Sequence, residues 1–141
     1  FRIKGTSVVL NLAKNPAGFN QNISAVMQDE SPKDIIIVIN DNAQDGKDIS
    51  WLWDVDFDKL CDENLNTLTA AGIRLYDLAL RFKYADVKAD RITKNMREAL
   101  SGCLTTDAEV CYVLVNYTML FPTQNTMLDL QKELGTGGDR K

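Results

Sequence analysis

Along this chain β-branched runs alternate with amphipathic segments of helical period, and that alternation predicts a mostly parallel sheet covered by helices on both faces. The first run, Ser7 to Ala13, predicts a strand. Asn15-Pro16 then opens a helix, since Asn can cap orphan N–H groups and a proline at the first helical position loses nothing by lacking one. Phe19, Ile23, Val26 and Met27 follow at helical spacing, up to the charged turn Asp29-Glu30-Ser31-Pro32. Asp34 to Asn40, DIIIVIN, is nearly continuous in apolar residues, the pattern of a central strand buried on both faces. A short segment follows near Phe57 to Cys61, and then a strand at about Thr67 to Ala71, ending in Gly72. Ile73 to Tyr84 predicts a helix in which Ile73, Tyr76, Leu80 and Tyr84 form one stripe, widened by Leu75, Leu78 and Phe82; the whole of it is expected to be buried.

Val87 to Ile92 predicts a short strand, Thr93 to about Ser101 a helix ended by Gly102, and Glu109 to Tyr117 a last strong strand. Pro122 to Leu134 predicts a closing helix stopped by Gly135. Residues 1–134 read as one domain and 135–141, GTGGDRK, as a disordered tail. The chain opens on Phe1 rather than Met and runs almost directly into a strand, so it is expected to be a domain of a longer protein.

Composition removes several function classes. The 141 residues, 45% apolar, suit one ordinary domain with its own core. A net charge of −4, with the only basic cluster at Arg140-Lys141, argues against a nucleic-acid backbone as partner. No apolar run approaches the ~20 residues of a membrane span, and the start carries no signal-peptide pattern, so the chain reads as cytosolic. Cys61, Cys103 and Cys111 form no CxxC pair and the chain has no histidine, so no zinc site is expected and the thiols read as reduced and structural.

The stretch from Asn40 to Phe57, NDNAQDGKDISWLWDVDF, carries the candidate chemistry: a strand gives out into a loop with Asp41, Asp45, Asp48, Asp54 and Asp56. In an open α/β sheet, ligands and partners meet the protein at such a place. An EF-hand frame matches at Asp41, Asp45 and Gly46 and then fails, with Ala43 at the third position and Leu52 where a bidentate Glu is needed. Without histidine, no self-contained nucleophile and base can be assembled; a carboxylate could still be the third member of a triad whose other members lie on another polypeptide. Asn11, Lys14 and Asn15, at the end of the first strand and the start of a helix, suit nucleotide or anion contact, although neither GxGxxG nor GxxxxGKS occurs. The competing reading is a capped helix beside a solvated lysine. Trp51 and Trp53 would point to one side of an extended segment, either as core or as interface anchors.

These residues also carry a resemblance. NLAKNPAGFN is similar to the D-Y-A-H-x-P motif that opens the C-terminal domain of Mur ligases. INDNAQDGKDISWLWDVDF, then GIRLYDLALRFKYA and VLVNYT, resembles the C-terminal domain of MurT, the Mur-ligase-like subunit of lipid II isoglutaminyl synthase, over about Val8 to Leu134. The resemblance implies a doubly wound, Rossmann-like α/β domain. It implies a part in amidating the α-carboxyl of D-glutamate in the lipid II stem peptide to D-isoglutamine, at the inner face of the cell membrane. ATP with Mg2+, held mainly by a central domain outside this chain, would activate that carboxylate, and ammonia would come from glutamine hydrolysed by the partner subunit GatD. Zinc is implied only for a four-cysteine element elsewhere in the full protein.

Within the pattern G-[RK]-D-x-S-W, the resemblance makes Asp48, between Gly46-Lys47 and Ser50-Trp51, the acidic member of a composite Cys-His-Asp triad whose Cys and His lie on GatD. Asn11 stands where Mur ligases usually have Asp, and Lys14 where they usually have His. The alternative is a C-terminal domain of a generic Mur-type peptide ligase that needs no glutaminase. On either reading the isolated domain is expected to be inactive.

Overall fold

The computed structural model describes residues 1–41, 48–61 and 63–135. Strands β1 (Arg2–Ile3), β2 (Thr6–Leu12), β3 (Lys33–Val38), β4 (Leu65–Ala71), β5 (Arg91–Thr93) and β6 (Val110–Val115) form one sheet in the order β1-β2-β6-β3-β4-β5. Only the β1–β2 pair is antiparallel, so the sheet is mostly parallel as the alternation predicts. β1 had no counterpart in the hydrophobic pattern. Its signal is Lys4-Gly5, where both residues take positive φ (51° and 87°), the requirement of a tight type I′ hairpin.

Helices α1 (Pro16–Gln28), α2 (Leu75–Tyr84), α3 (Met96–Cys103) and α4 (Leu120–Leu134) cover the two faces. Successive side chains of β3 point to opposite sides, which is why its apolar run is unbroken. Ile35, Ile37 and Ile39 pack with Phe19 and Ile23 of α1 and with Leu78 and Phe82 of α2. Ile36 and Val38 pack on the other face with Leu100 of α3 and Met127 and Leu130 of α4. Each such fully buried side chain contributes about 1.5–3 kcal/mol. The result is a doubly wound α/β domain.

Several local expectations are corrected. The outer stripe of α2 is not buried: Leu75, Leu78 and Phe82 face the core, while Ile73, Tyr76, Leu80 and Tyr84 face outward. One face of the helix suffices to cover the sheet, so an apolar periphery does not imply burial. β5, Arg91–Thr93, takes in only the last two residues of the expected strand, and just before it Leu68 N–H donates to the Asp90 carboxylate at 2.8 Å and Asp90 N–H to Leu68 O at 2.7 Å. Gly102 does not end α3, which runs on to Cys103; a Cβ there would lie 1.9 Å from Arg91 Nη1, so glycine makes room for that guanidinium. Gly135 does end α4, with φ 74°. Cys103 and Cys111 are buried and free as expected of structural thiols, whereas Cys61 is exposed. The expected disordered tail lies, from residue 136 on, outside the described residues.

The C-terminal end of α1 carries a pH-dependent contact. Asp29 accepts hydrogen bonds from the Ser31 hydroxyl (2.5 Å), the Tyr112 hydroxyl (2.6 Å) and Ser31 N–H (2.9 Å), and its carboxyl is held down at about 2 by these donors, the Ser31 hydroxyl first. Tyr112 is pushed up to about 12, by burial first and then by Asp29. Because the folded value of Asp29 lies below the ordinary value of about 4, its stabilisation is fully present above that value and is lost as pH falls toward 2. The thermal midpoint of the wild type should therefore exceed that of Asp29→Asn at pH 7, and the difference should close between about pH 4 and pH 2. A gap that persists unchanged at pH 2 would contradict this account.

Candidate functional site

At the carboxyl ends of the strands the connections diverge. β2 leads to α1 and β3 to the segments that pack with α1 and α2, while β6, lying between these strands, leads to α4 on the other face. Neighbouring strands that lead to opposite faces leave a crevice there. Two asparagines join its walls: Asn40 N–H donates to Asn116 Oδ1 at 3.1 Å, and Asn116 Nδ2 donates to Asn40 O at 2.7 Å, both residues being buried. Asn40 Oδ1 also accepts from Ile73 N–H at 2.9 Å, tying in the start of α2. The sequence carries a sign of this pairing, an Asn just past the end of each strand, two residues after β3 and one after β6.

Asp41 then ion-pairs with Arg74 at 3.3 Å, and Arg74 with Asp77 at 3.0 Å. Residues 42–47, including Asp45, Gly46 and Lys47, lie outside the described residues, so the calcium-frame positions Ala43, Asp45 and Gly46 are not placed. Asp48 is placed. It is exposed and precedes a 3-10 helix, Ser50–Asp54, whose first turn it closes by accepting Ser50 N–H at 2.9 Å. The Ser50 N–H and, second, the Ser50 hydroxyl hold its carboxyl below the ordinary aspartate range, so Asp48 is an accessible, ionised carboxylate at neutral pH.

The segment that carries Asp48 is fastened on both sides. Trp51 and Trp53 do not share a side, because the backbone is a tight helix and not an extended strand. Trp51 packs on Phe19 of α1 with ring centroids 5.5 Å apart, and exposed Trp53 meets Tyr84 of α2 at 5.3 Å. One tryptophan is thus half-buried against the core and the other exposed. Arg81 of α2 is a residue that sequence reasoning missed. Its Nε donates to Leu52 O (2.9 Å) and its Nη2 to Val55 O (2.6 Å), carbonyls at the end of the 3-10 helix that also accept Val55 N–H and Phe57 N–H, and its guanidinium lies 5.3 Å from both the Trp53 and the Phe57 ring centres. Arg81→Leu should lower stability by about 2 kcal/mol and speed amide exchange at Ser50 to Val55 more than in β3. Arg81→Lys should not restore either, because an ammonium lacks the planar fork that reaches two carbonyls. Uniform exchange rates along both segments would contradict the clamp.

The nucleotide-side candidates cluster one strand away. Asn11 lies half-buried on β2, in register with Leu114, and Lys14 and Asn15 are exposed just beyond it. Asn15 caps α1 as expected, accepting Gly18 N–H at 2.8 Å. The first turn of α1 holds no acidic residue, so the positive end of its dipole stands beside Lys14 uncompensated, which fits an anionic group. Among the described residues no hydrogen bond or ion pair joins Asp48 to Asn11, Lys14 or Asn15; the two groups are connected through α1, by Trp51 on Phe19 and by Asp56 N–H donating to Asn20 at 2.8 Å.

Comparison with known proteins gives this geometry a context. Residues 12–120 match the family model described as MurT ligase C-terminal. Two curated Staphylococcus aureus proteins named lipid II isoglutaminyl synthase (glutamine-hydrolyzing) subunit MurT are each 35% identical over 122 residues, 86% of this chain and 28% of theirs. The protein of that name from Streptococcus pneumoniae is 29% identical over 93% of this chain and 30% of its own. The chain thus spans less than a third of the length of these relatives. Among solved structures, UDP-N-acetylmuramate-alanine ligase MurC from Thermotoga maritima aligns with 94% of this chain and 29% of its own at a TM-score of 0.59 and 8% identity. A domain assigned to a UDP-N-acetylmuramate:L-alanyl-gamma-D-glutamyl-diaminopimelate ligase from Haemophilus ducreyi aligns with 92% of this chain and 95% of its own at 0.54 and 10%. These two likenesses establish the fold alone.

Proposed function

Since the chain belongs to the MurT ligase C-terminal family, we propose that it is the C-terminal domain of a two-subunit amidotransferase, one that docks a GatD-type glutaminase and completes the glutaminase's active site with Asp48. The observation that carries the reading is the state of Asp48: an exposed carboxylate, kept ionised by Ser50 on a segment fastened between α1 and α2, in a chain that has no histidine of its own to orient. A carboxylate hydrogen-bonded to one nitrogen of an imidazole fixes its tautomer and stabilises the imidazolium that forms when the other nitrogen takes a proton from the nucleophile. On this reading the partner's histidine takes the proton of the partner's cysteine thiol, the thiolate attacks the glutamine carboxamide, and the imidazolium returns the proton to the departing ammonia. Asp48 stays ionised throughout.

The whole subunit would use that ammonia to amidate the D-glutamate α-carboxyl of lipid II, in the cytoplasm at the inner membrane face. ATP with Mg2+ would supply the activation of the carboxylate; Lys14 and Asn11 would face the nucleotide at the α1 N-terminus, and a central domain outside this chain would hold most of it. No helix among the described residues is long and apolar enough to cross a membrane.

Two assays test this. The isolated chain, taken as residues 1–134 folding as a unit, should neither hydrolyse ATP nor release ammonia from glutamine, and robust turnover by it would sink the composite-site reading. The full-length subunit should copurify with the glutaminase and form D-isoglutamine only when glutamine or ammonia is supplied. ATP-dependent coupling of an amino acid by the ligase subunit, with no glutaminase present, would favour a generic peptide ligase instead.

A further inference from the structure

The outward face of α2 carries large apolar side chains that this domain leaves uncovered. Tyr76, Leu80 and Tyr84 recur every fourth residue and are 71%, 49% and 70% exposed. Ile73 at the head of the helix and Trp53 against its tail are each 52% exposed, and the Trp53–Tyr84 ring contact makes the patch continuous from α2 onto the 3-10 helix. Burying these side chains would be favourable, and a contiguous apolar patch rimmed by charge is the mark of a contact surface. We propose that this face is the docking surface for the glutaminase subunit, an inference that rests on the reading of Asp48 above and specifies where its partner binds.

Three observations select that occupant. First, the patch is continuous with the site. Its upper end, Ile73 and Arg74, is bonded to Asn40 and Asp41, where the loop toward Asp48 departs, and Trp53 at its lower end lies in the short helix whose first turn Asp48 closes. A partner that places an imidazole against Asp48 therefore approaches beside this face. Second, the residues assigned to the nucleotide, Asn11 and Lys14, lie on β2 and at the start of α1, so the remainder of the ligase subunit is expected on that side, leaving α2 free. Third, the flank carries a net positive charge in an acidic chain. Lys83 and Lys88, with one carboxylate, Asp86, border a shallow groove of about 340 Å3 beside α2 that Val87 and Ile92 also line, and among the described residues neither lysine has an ion pair. The partner's matching face should be apolar at its centre with carboxylates opposite these lysines.

The test uses the full-length ligase subunit and the purified glutaminase, with affinity and glutamine hydrolysis measured separately. Tyr76→Glu with Leu80→Glu should raise Kd by about 30-fold or more, and hydrolysis should recover to within about threefold of wild type when the glutaminase is added to saturation. Both side chains already face solvent, so the thermal midpoint should stay near wild type; Tyr84→Ser, which adds no charge, should weaken binding in the same direction. Asp48→Asn should show the converse, with near-normal Kd and lost hydrolysis. If the α2 variants bind as wild type while Asp48→Asn loses hydrolysis, the surface assignment is overturned and the Asp48 reading survives. If the variants weaken binding while Asp48→Asn hydrolyses normally, the surface stands and the catalytic reading falls. Unchanged Kd together with a change in self-association, or a fall in the midpoint of the ligase subunit alone, would show that a second copy or the subunit's own domains cover α2, and would overturn the proposal.

Discussion

Replacing Asp48 by Asn should collapse glutamine hydrolysis in the complex with the glutaminase while leaving the fold of this domain intact. The substitution keeps the shape, and the side-chain oxygen can still accept Ser50 N–H, the 2.9 Å bond that starts the short helix. What it removes is the charge. An uncharged partner no longer stabilises an imidazolium, and an amide can favour the wrong imidazole tautomer; in an intact triad that loss reaches ~10⁴ in turnover. Ammonia added in place of glutamine should partly restore product in the full-length protein, because on the proposed reading Asp48 serves glutamine hydrolysis and not activation of the acceptor carboxylate. Asp58, exposed beyond the 3-10 helix, serves as the control: Asp58→Asn should shift stability by less than about 1 kcal/mol and leave hydrolysis near wild type. Since Ser50 holds the Asp48 carboxyl below its ordinary range, an acid-side fall in activity between about pH 5 and pH 7 should report the partner's imidazole and not Asp48.

The largest effect on stability is expected at Gly72, which ends β4 at the site's edge. Its φ of +96° disfavours any side chain, and a Cβ would stand 2.4 Å from Ile39 O, 2.9 Å from Ile39 N and 3.0 Å from Asn40 Oδ1. Those atoms cannot step aside cheaply. Ile39 O accepts Arg74 N–H at 3.0 Å, Ile39 N–H donates to Ala71 O at 3.1 Å, and Asn40 Oδ1 accepts Ile73 N–H, so the crowding falls on the junction that joins β3, β4 and α2. Gly72→Ala should cost about 3 kcal/mol or more, seen as a lower urea midpoint at unchanged slope. Gly5→Ala, also at positive φ but with nothing within 4 Å, should cost about 1 kcal/mol. Equal shifts for the two variants would contradict the packing argument.

Much of this fold was legible because its helices and central strands satisfy local rules: the Asn15-Pro16 start of α1, the unbroken apolar run of β3, the Gly135 stop. What was not legible depended on neighbours. The stripe on α2 has the same period whether it faces a core or a partner, and only the packing of Leu78 and Phe82 on β3 shows which side is turned inward. Gly102 reads as a terminator until Arg91 is seen lying against it, and the clamp by Arg81 depends on carbonyls 26 and 29 residues distant in sequence. The candidate site divides in the same way. A carboxylate-bearing loop after a central strand offers five aspartates, of which only the resemblance singles out Asp48, whereas the fastening of its segment between α1 and α2 is a tertiary property.

The central claim is that Asp48 faces an imidazole on another polypeptide. The most direct measurement is the pKa of the glutaminase's histidines, followed by NMR in the free glutaminase, in its complex with the wild-type ligase subunit, and in its complex with Asp48→Asn. An opposite charge within hydrogen-bond reach favours the imidazolium, so one histidine should rise by about one unit or more on binding the wild type and should return most of the way to its free value with Asp48→Asn. Identical histidine titrations in the two complexes would contradict the account.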